Sequence, residues 1–195
     1  MRIVLDIQHI NKPHNARDRG ASFEGIREVD LTFDYLNETR KLLEKEGHVV
    51  FFGLSGTYEE RHSFVNERIK PDLYIAGHVN AGRGSYSLIE VDYRASERTL
   101  EIAEKMRDSF LFELPVEESF IWKLFRKGHF ELTPAFIGFK CIKGVKCSAL
   151  LLEPLFIDNE EHLNVLLNDP KRIARAIVKG IEDWEEGRRE GEGEG

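Results

Sequence analysis

Apolar and polar positions follow two rhythms along the chain, one of period two and one near 3.6, and the two take turns. Residues 2–8 (RIVLDIQ) read as a buried strand, and 10–27 as a long polar loop. A loop of that length inside a compact domain is usually functional or disordered. Val29, Leu31, Phe33 and Tyr35 alternate like a strand, but Leu36, Thr39, Leu42 and Leu43 with a stop at Gly47 fit a helix over 29–46, and the length and the glycine decide for helix. Residues 48–53, 72–77 and 86–91 read as short buried strands. Thr57 and Glu60 form a capping box that opens a helix to 69. Ser96 caps a helix to 110 with Leu100, Ala103, Met106 and Phe110 on one face. The rhythm fades over 111–135, where a short helix is expected near 117–126. Residues 135–142 and 145–154 read as two strands around a Lys143-Gly144 turn. Asn159 caps a short helix with Leu163, Leu166 and Leu167, and Asp169-Pro170 opens the last, striped by Ile173, Ala174, Ile177, Ile181 and Trp184.

Strands alternating with helices predict one α/β domain over 1–184, a twisted, mostly parallel but mixed sheet of about six strands with helices on both faces. The charged, glycine-rich 185–195 is expected to be a disordered tail. With 35 acidic against 28 basic residues and a net charge of -7, the chain lacks the basic footprint of a nucleic-acid binder. No apolar run is long enough to span a membrane, and no signal-peptide pattern opens the chain, so synthesis in the cytoplasm is expected. Cys141 and Cys147 cannot make a disulfide framework; one bridge across the 143–144 turn or two strand thiols remain open. A single glutamine amid abundant Glu, Lys and Arg leans toward a thermophilic source.

In open α/β sheets ligands bind beyond the carboxyl ends of the strands. His9 follows the first strand, His78 follows 72–77, Glu153 follows 147–152, and Glu28 opens the helix after the long loop; His14 in that loop is a fifth candidate. Each has an ordinary reading: His78 as a turn residue, Glu28 as a first-turn acid favoured by the helix dipole, Glu153 as a loop carboxylate. His48, His62 and His162 read as surface residues beside charges, and His129 falls in the unreadable stretch.

Four segments come with matching neighbours. IVLDIQH is similar to a strand ending Asp-x-Gly-His. Glu28 opens a helix that leads to Gly47 and then a strand. Arg61, Asn66, Asp72, His78, Asn80 and Ala81 fit an Arg…Ala-Asn…Ala-Asp-Leu…Ser-x-His-x-Asn-Ala block, and Glu153, Phe156 and Asn159 a Val-Leu-x-Glu-x-Gly-Phe-x-Ser-Asn block. In order and spacing over 2–184 the chain resembles the zinc-dependent N-acetylmuramoyl-L-alanine amidases of the Amidase_3 type, which cleave peptidoglycan. It departs from them at Gln8 and Ile10-Asn11, where the family's Gly-His-Gly-Gly has glycines, and at Leu155, which replaces the glycine after the glutamate.

The resemblance implies one zinc ion per chain on His9, Glu28 and His78 with a fourth position open to water, a catalytic rather than a structural arrangement. It implies Glu153 as the general base, and the amide between N-acetylmuramic acid and L-alanine of the stem peptide as the bond cut. Asp6 and Asn80 are candidates to support His9 and His78. Arg61, Asn66 and His14 are candidates for that role or for the substrate groove, where Arg17 and Arg19 would meet stem-peptide carboxylates. The expected setting is a monomeric, endolysin-type lytic enzyme that acts on the cell wall after release. A zinc hydrolase of small N-acyl amino acids and a non-cleaving cell-wall peptide binder are the alternatives.

Overall fold

The computed structural model describes residues 1–10, 18, 20–124 and 138–193. His14, Arg17, Arg19 and His129 lie outside the described residues. Eight strands and six helices are found among the described residues: β1 (Arg2–Ile7), β2 (Ser22–Phe23), β3 (Ile26–Arg27), α1 (Glu28–Lys45), β4 (Val49–Phe52), α2 (Tyr58–Phe64), β5 (Leu73–Gly77), β6 (Tyr86–Asp92), α3 (Glu97–Glu113), β7 (Glu118–Leu124), α4 (Gly138–Ile142), β8 (Ser148–Glu153), α5 (Glu160–Asn168) and α6 (Pro170–Gly193). The sheet order is β4-β1-β5-β8-β6-β7. β4, β1, β5 and β8 run parallel; β6 runs antiparallel to β8 and parallel to β7, so the sheet is mixed.

Alternation along each central strand sorts side chains onto two faces. Ile3, Leu5 and Ile7, with Leu73, Ile75, Leu150 and Leu152, pack under α1, α3, α5 and α6. Val4, Tyr74, Ala76 and Leu151 face the other way, against Val65, Ile69, Cys141 and Ile142. Gly180 lets α6 approach α3 closely: a Cβ there would lie 2.9 Å from the Met106 Cα. The α2 capping box is formed on both sides, and the helix continues as a π turn over Val65–Ile69.

Three elements differ from the sequence expectation. The 135–142 strand is absent where described: Gly138–Ile142 is the short helix α4, and no hairpin spans Lys143-Gly144. β8 is flanked by β5 and β6, so neither of its edges is free for a preceding strand. The helix expected near 117–126 is the strand β7, whose Phe120 meets Tyr86 edge-on, rings 5.3 Å apart, while Ser119 accepts from Ser87 Oγ at 2.6 Å. The last helix does not give way to a disordered tail at 185 but runs to Gly193. Helical spacing pairs Arg189 with Glu185 at 3.9 Å and stacks Arg188 over Trp184 at 5.2 Å. The polar 10–27 stretch ends in a β2–β3 hairpin whose turn residues Glu24 and Gly25 both have positive φ, the type I′ geometry that suits strand twist.

Candidate active site

The candidate residues meet at the carboxyl ends of β1, β5 and β8. His9 lies just past β1 with φ 61, a left-handed conformation that costs a non-glycine residue about 1–2 kcal/mol. This backbone turn lifts the imidazole out of the strand line. Glu28 opens α1, and the hairpin before it brings the Ala21 N–H to Glu28 Oε2 at 2.7 Å. His78 follows β5, its N–H donating to the Leu152 carbonyl at 2.9 Å, which sets it beside Glu153 at the end of β8.

His9 Nε2 is 3.5 Å from Glu28 Oε1, and His78 Nδ1 is 2.8 Å from the same oxygen. One ligand atom from each of the three residues lies within 4.8 Å of the others, and Glu28 and His78 are buried. Two imidazole nitrogens and a carboxylate oxygen are a donor set that suits zinc. Burial works to raise the Glu28 carboxyl, but the hydrogen bond and charge of His78, then His9 and the Ala21 N–H, outweigh it and hold it below its ordinary value. Burial pulls His78 down, while Cys141 and Glu28 pull it up further, and it ends well above the usual imidazole range. Space is tight: a Cβ on Gly20 would stand 2.2 Å from Glu28 Oε2.

Glu153 shares the sheet face of His78. Burial raises its carboxyl to about 7, with His78 opposing and Glu28 adding. Glu90 on β6 is a neighbouring carboxyl, pushed to about 8 by burial and by Glu153. A buried carboxyl that titrates near neutrality is suited to taking and returning a proton.

The support around the two histidines is not the one expected. His9 Nδ1 faces Asp18 Oδ1 at 2.9 Å rather than Asp6. His78 Nε2 lies 3.6 Å from Cys141 Sγ rather than against Asn80. Asp6 instead points to the sheet face that holds Tyr74 and Cys141, where Oδ2 accepts from Arg61 at 2.6 Å, Gln8 at 2.8 Å and the Tyr74 hydroxyl. Arg61 is therefore a core residue, only 2% exposed. Asn80 extends the β5–β8 pairing beyond His78, its side chain accepting from the Ala81 N–H at 2.8 Å. Asn66 clasps the turn after α4, donating to Gly144 O at 2.7 Å and accepting from Lys146 N–H at 2.9 Å. His62 and His162, read as surface residues, are buried, their Nε2 atoms against the Cys141 and Pro115 carbonyls at 2.8 and 2.9 Å. The two cysteines are free thiols.

Asp18, Gly20, Ala21, Cys141 and Glu90 had no place in the site expected from the sequence. Only Gly20 carried a signal, a glycine within the long polar loop.

Solved structures share the fold. N-acetylmuramoyl-L-alanine amidase AmiC2 of Nostoc punctiforme superposes with TM-score 0.74 at 16% identity, over 95% of this chain and 97% of that one. The catalytic domain of CwlV, an N-acetylmuramoyl-L-alanine amidase from Bacillus (Paenibacillus) polymyxa var. colistinus, gives 0.69 at 18%, over 95% and 98%. The catalytic domain of the CD27L endolysin, which targets Clostridia difficile, gives 0.68 at 21%, over 94% and 97%. No curated protein matches the chain by sequence. Among the described residues no helix is long and apolar enough to cross a membrane. The model of one family, Amidase_3, described as N-acetylmuramoyl-L-alanine amidase, matches residues 3–183, and the chain belongs to that family of peptidoglycan-cleaving enzymes.

Proposed function

We propose that this peptidoglycan amidase works through one zinc ion held by His9, Glu28 and His78, with Glu153 moving the protons of amide hydrolysis. The observation that carries the reading is the convergence of the three ligand atoms within 4.8 Å at the end of β5, beside Glu153 at the end of β8. Zinc at such a centre supplies Lewis acidity and draws the pKa of water toward roughly 7. Glu153 takes the proton from the attacking water and delivers it to the departing L-alanine nitrogen. That delivery matters because a neutral amine leaves far more readily than an amide anion. A carboxyl near 7 serves both directions of transfer. Asp18 and Cys141 hold the outer ring nitrogens of the two histidines and so fix how the rings are aimed.

The lytic, endolysin-type role draws support from the likeness to the CD27L catalytic domain. The test is digestion of purified sacculi with and without a chelator, followed by mass analysis. New L-alanine amino termini that vanish with the chelator and return with zinc are expected. Intact sacculi alongside hydrolysis of small N-acyl amino acids would overturn the polymer reading. Activity indifferent to chelation and to zinc would overturn the metal assignment.

A further inference from the structure

We propose that Gln8 positions His78 for metal binding by way of Cys141. The inference rests on the zinc reading above. Gln8, Cys141 and Asp6 are fully buried, and His78 is 8% exposed, so their polar atoms have one another as partners rather than bulk water.

The polarity of the chain of contacts starts at Asp6. Its carboxylate is ion-paired with Arg61 at 2.6 Å, and an ionised carboxylate only accepts. Gln8 must therefore turn its amide nitrogen toward Asp6, and Nε2 donates to Oδ2 at 2.8 Å. The other end of the amide, Oε1, then faces Cys141 Sγ at 3.4 Å. An amide oxygen only accepts, so the thiol hydrogen points at Gln8. Tyr58 OH also lies 3.4 Å from the sulfur, but donation to it would leave Oε1 buried without this donor.

A thiol has one hydrogen. With it directed at Gln8, the sulfur presents lone pairs to His78 Nε2 at 3.6 Å, and the favourable partner there is an N–H. A neutral imidazole protonated on Nε2 carries its lone pair on Nδ1. Without an ion, Nδ1–H donates to Glu28 Oε1 at 2.8 Å, on the side where the three ligand atoms gather; ligation displaces that hydrogen and leaves the one on Nε2 in place. Gln8 and Cys141 thus select the tautomer and ring orientation in which His78 can ligate. Without Gln8 the thiol is free to turn its hydrogen to Nε2, which favours a proton on Nδ1 and opposes metal binding.

Zinc affinities measured by competition with a chromophoric chelator test this, using the full chain and its Gln8→Leu, Cys141→Ala, Cys141→Ser and Gln8→Leu/Cys141→Ala variants. Gln8→Leu and Cys141→Ala should each weaken zinc binding about 10–100-fold, the usual effect of losing a partner to a metal-bound histidine. Cys141→Ser, which keeps one donor and two lone pairs, should recover most of that loss. The double variant should bind no more weakly than the worse single one, because both break the same relay. Circular dichroism of the metal-free proteins identifies any variant that does not fold; if Gln8→Leu is one, Cys141→Ala against Cys141→Ser decides. Wild-type affinity in the variants, equal losses in Cys141→Ala and Cys141→Ser, or losses that add in the double variant would overturn the relay while the zinc reading stands. A wild-type chain that binds no zinc would overturn both.

Discussion

Replacing Gly20 by alanine tests how closely the long loop is fitted to the centre. The new Cβ would stand 2.2 Å from Glu28 Oε2 and 2.8 Å from His9 Cδ2, two of the three proposed ligands. Real Cβ contacts essentially never fall below 3.0 Å, so the carboxylate or the loop must shift by roughly 0.8 Å or more. Metal–ligand distances tolerate about 0.2 Å, so the shift decides the outcome: zinc affinity should fall at least tenfold and sacculus hydrolysis with it. Stability is touched separately. Gly20 has φ +73, where alanine costs about 1–2 kcal/mol. Losing the Ala21 N–H bond to Glu28 would add about 1.5–3 kcal/mol. Gly25→Ala is the control, because φ is +82 there and nothing lies within 4 Å of a Cβ. It carries the backbone strain without the collision. The measurements are zinc competition titrations and urea melts of both variants. Equal zinc affinity in Gly20→Ala and Gly25→Ala would refute the reasoning.

Three further outcomes follow from the same geometry. Glu153→Gln should keep zinc and fold while hydrolysis of sacculi drops by about 10²–10⁴, the usual worth of a general acid–base group; undiminished release of L-alanine termini would remove it from that role. Arg61→Met leaves Asp6 charged and buried, and should cost about 3–5 kcal/mol in urea denaturation, whereas an Asp6→Leu/Arg61→Met pair should cost less; equal losses would contradict the ion-pair account. His62 and His162 are held below the ordinary 6.5 by burial. The unfolded chain protonates them first, so their contribution is intact above pH 6.5 and is lost as pH falls through the folded-state values. Melting temperature should therefore drop on acidification below 6.5 and drop less in His162→Asn, and an identical pH slope in that variant would sink the assignment.

The central strands and capped helices were legible because their signals are local. Thr57, Ser96 and Asn159 each cap the helix they precede, and β1, β5 and β8 are short apolar runs at the centre of the sheet. His9, Glu28, His78 and Glu153 were legible by position, each at an element's end facing the site. Their partners were not. Cys141 reaches His78 across 63 residues of chain and Arg61 reaches Asp6 across 55, with no periodicity to mark either contact. His62 and His162 were hidden by their neighbours, since Glu59, Glu60, Glu160 and Glu161 make both stretches read as solvent-facing. The Gly138–Ile142 part of the expected strand is helical for a topological reason: its strand-like composition finds no open edge beside β8.

The position of β5 has a thermodynamic consequence. It lies between β1 and β8, and His78 at its end meets His9 and Glu28 only when that central trio and the hairpin before α1 are in place. In the unfolded chain the three ligands are separated by long stretches of flexible backbone and cannot grip one ion together. Any ion they hold is therefore bound by the native state alone, and by mass action it adds about 2.7 kcal/mol of resistance to unfolding at a hundredfold excess over its dissociation constant. The durability of this enzyme would then depend on the free metal of its surroundings as well as on its sequence.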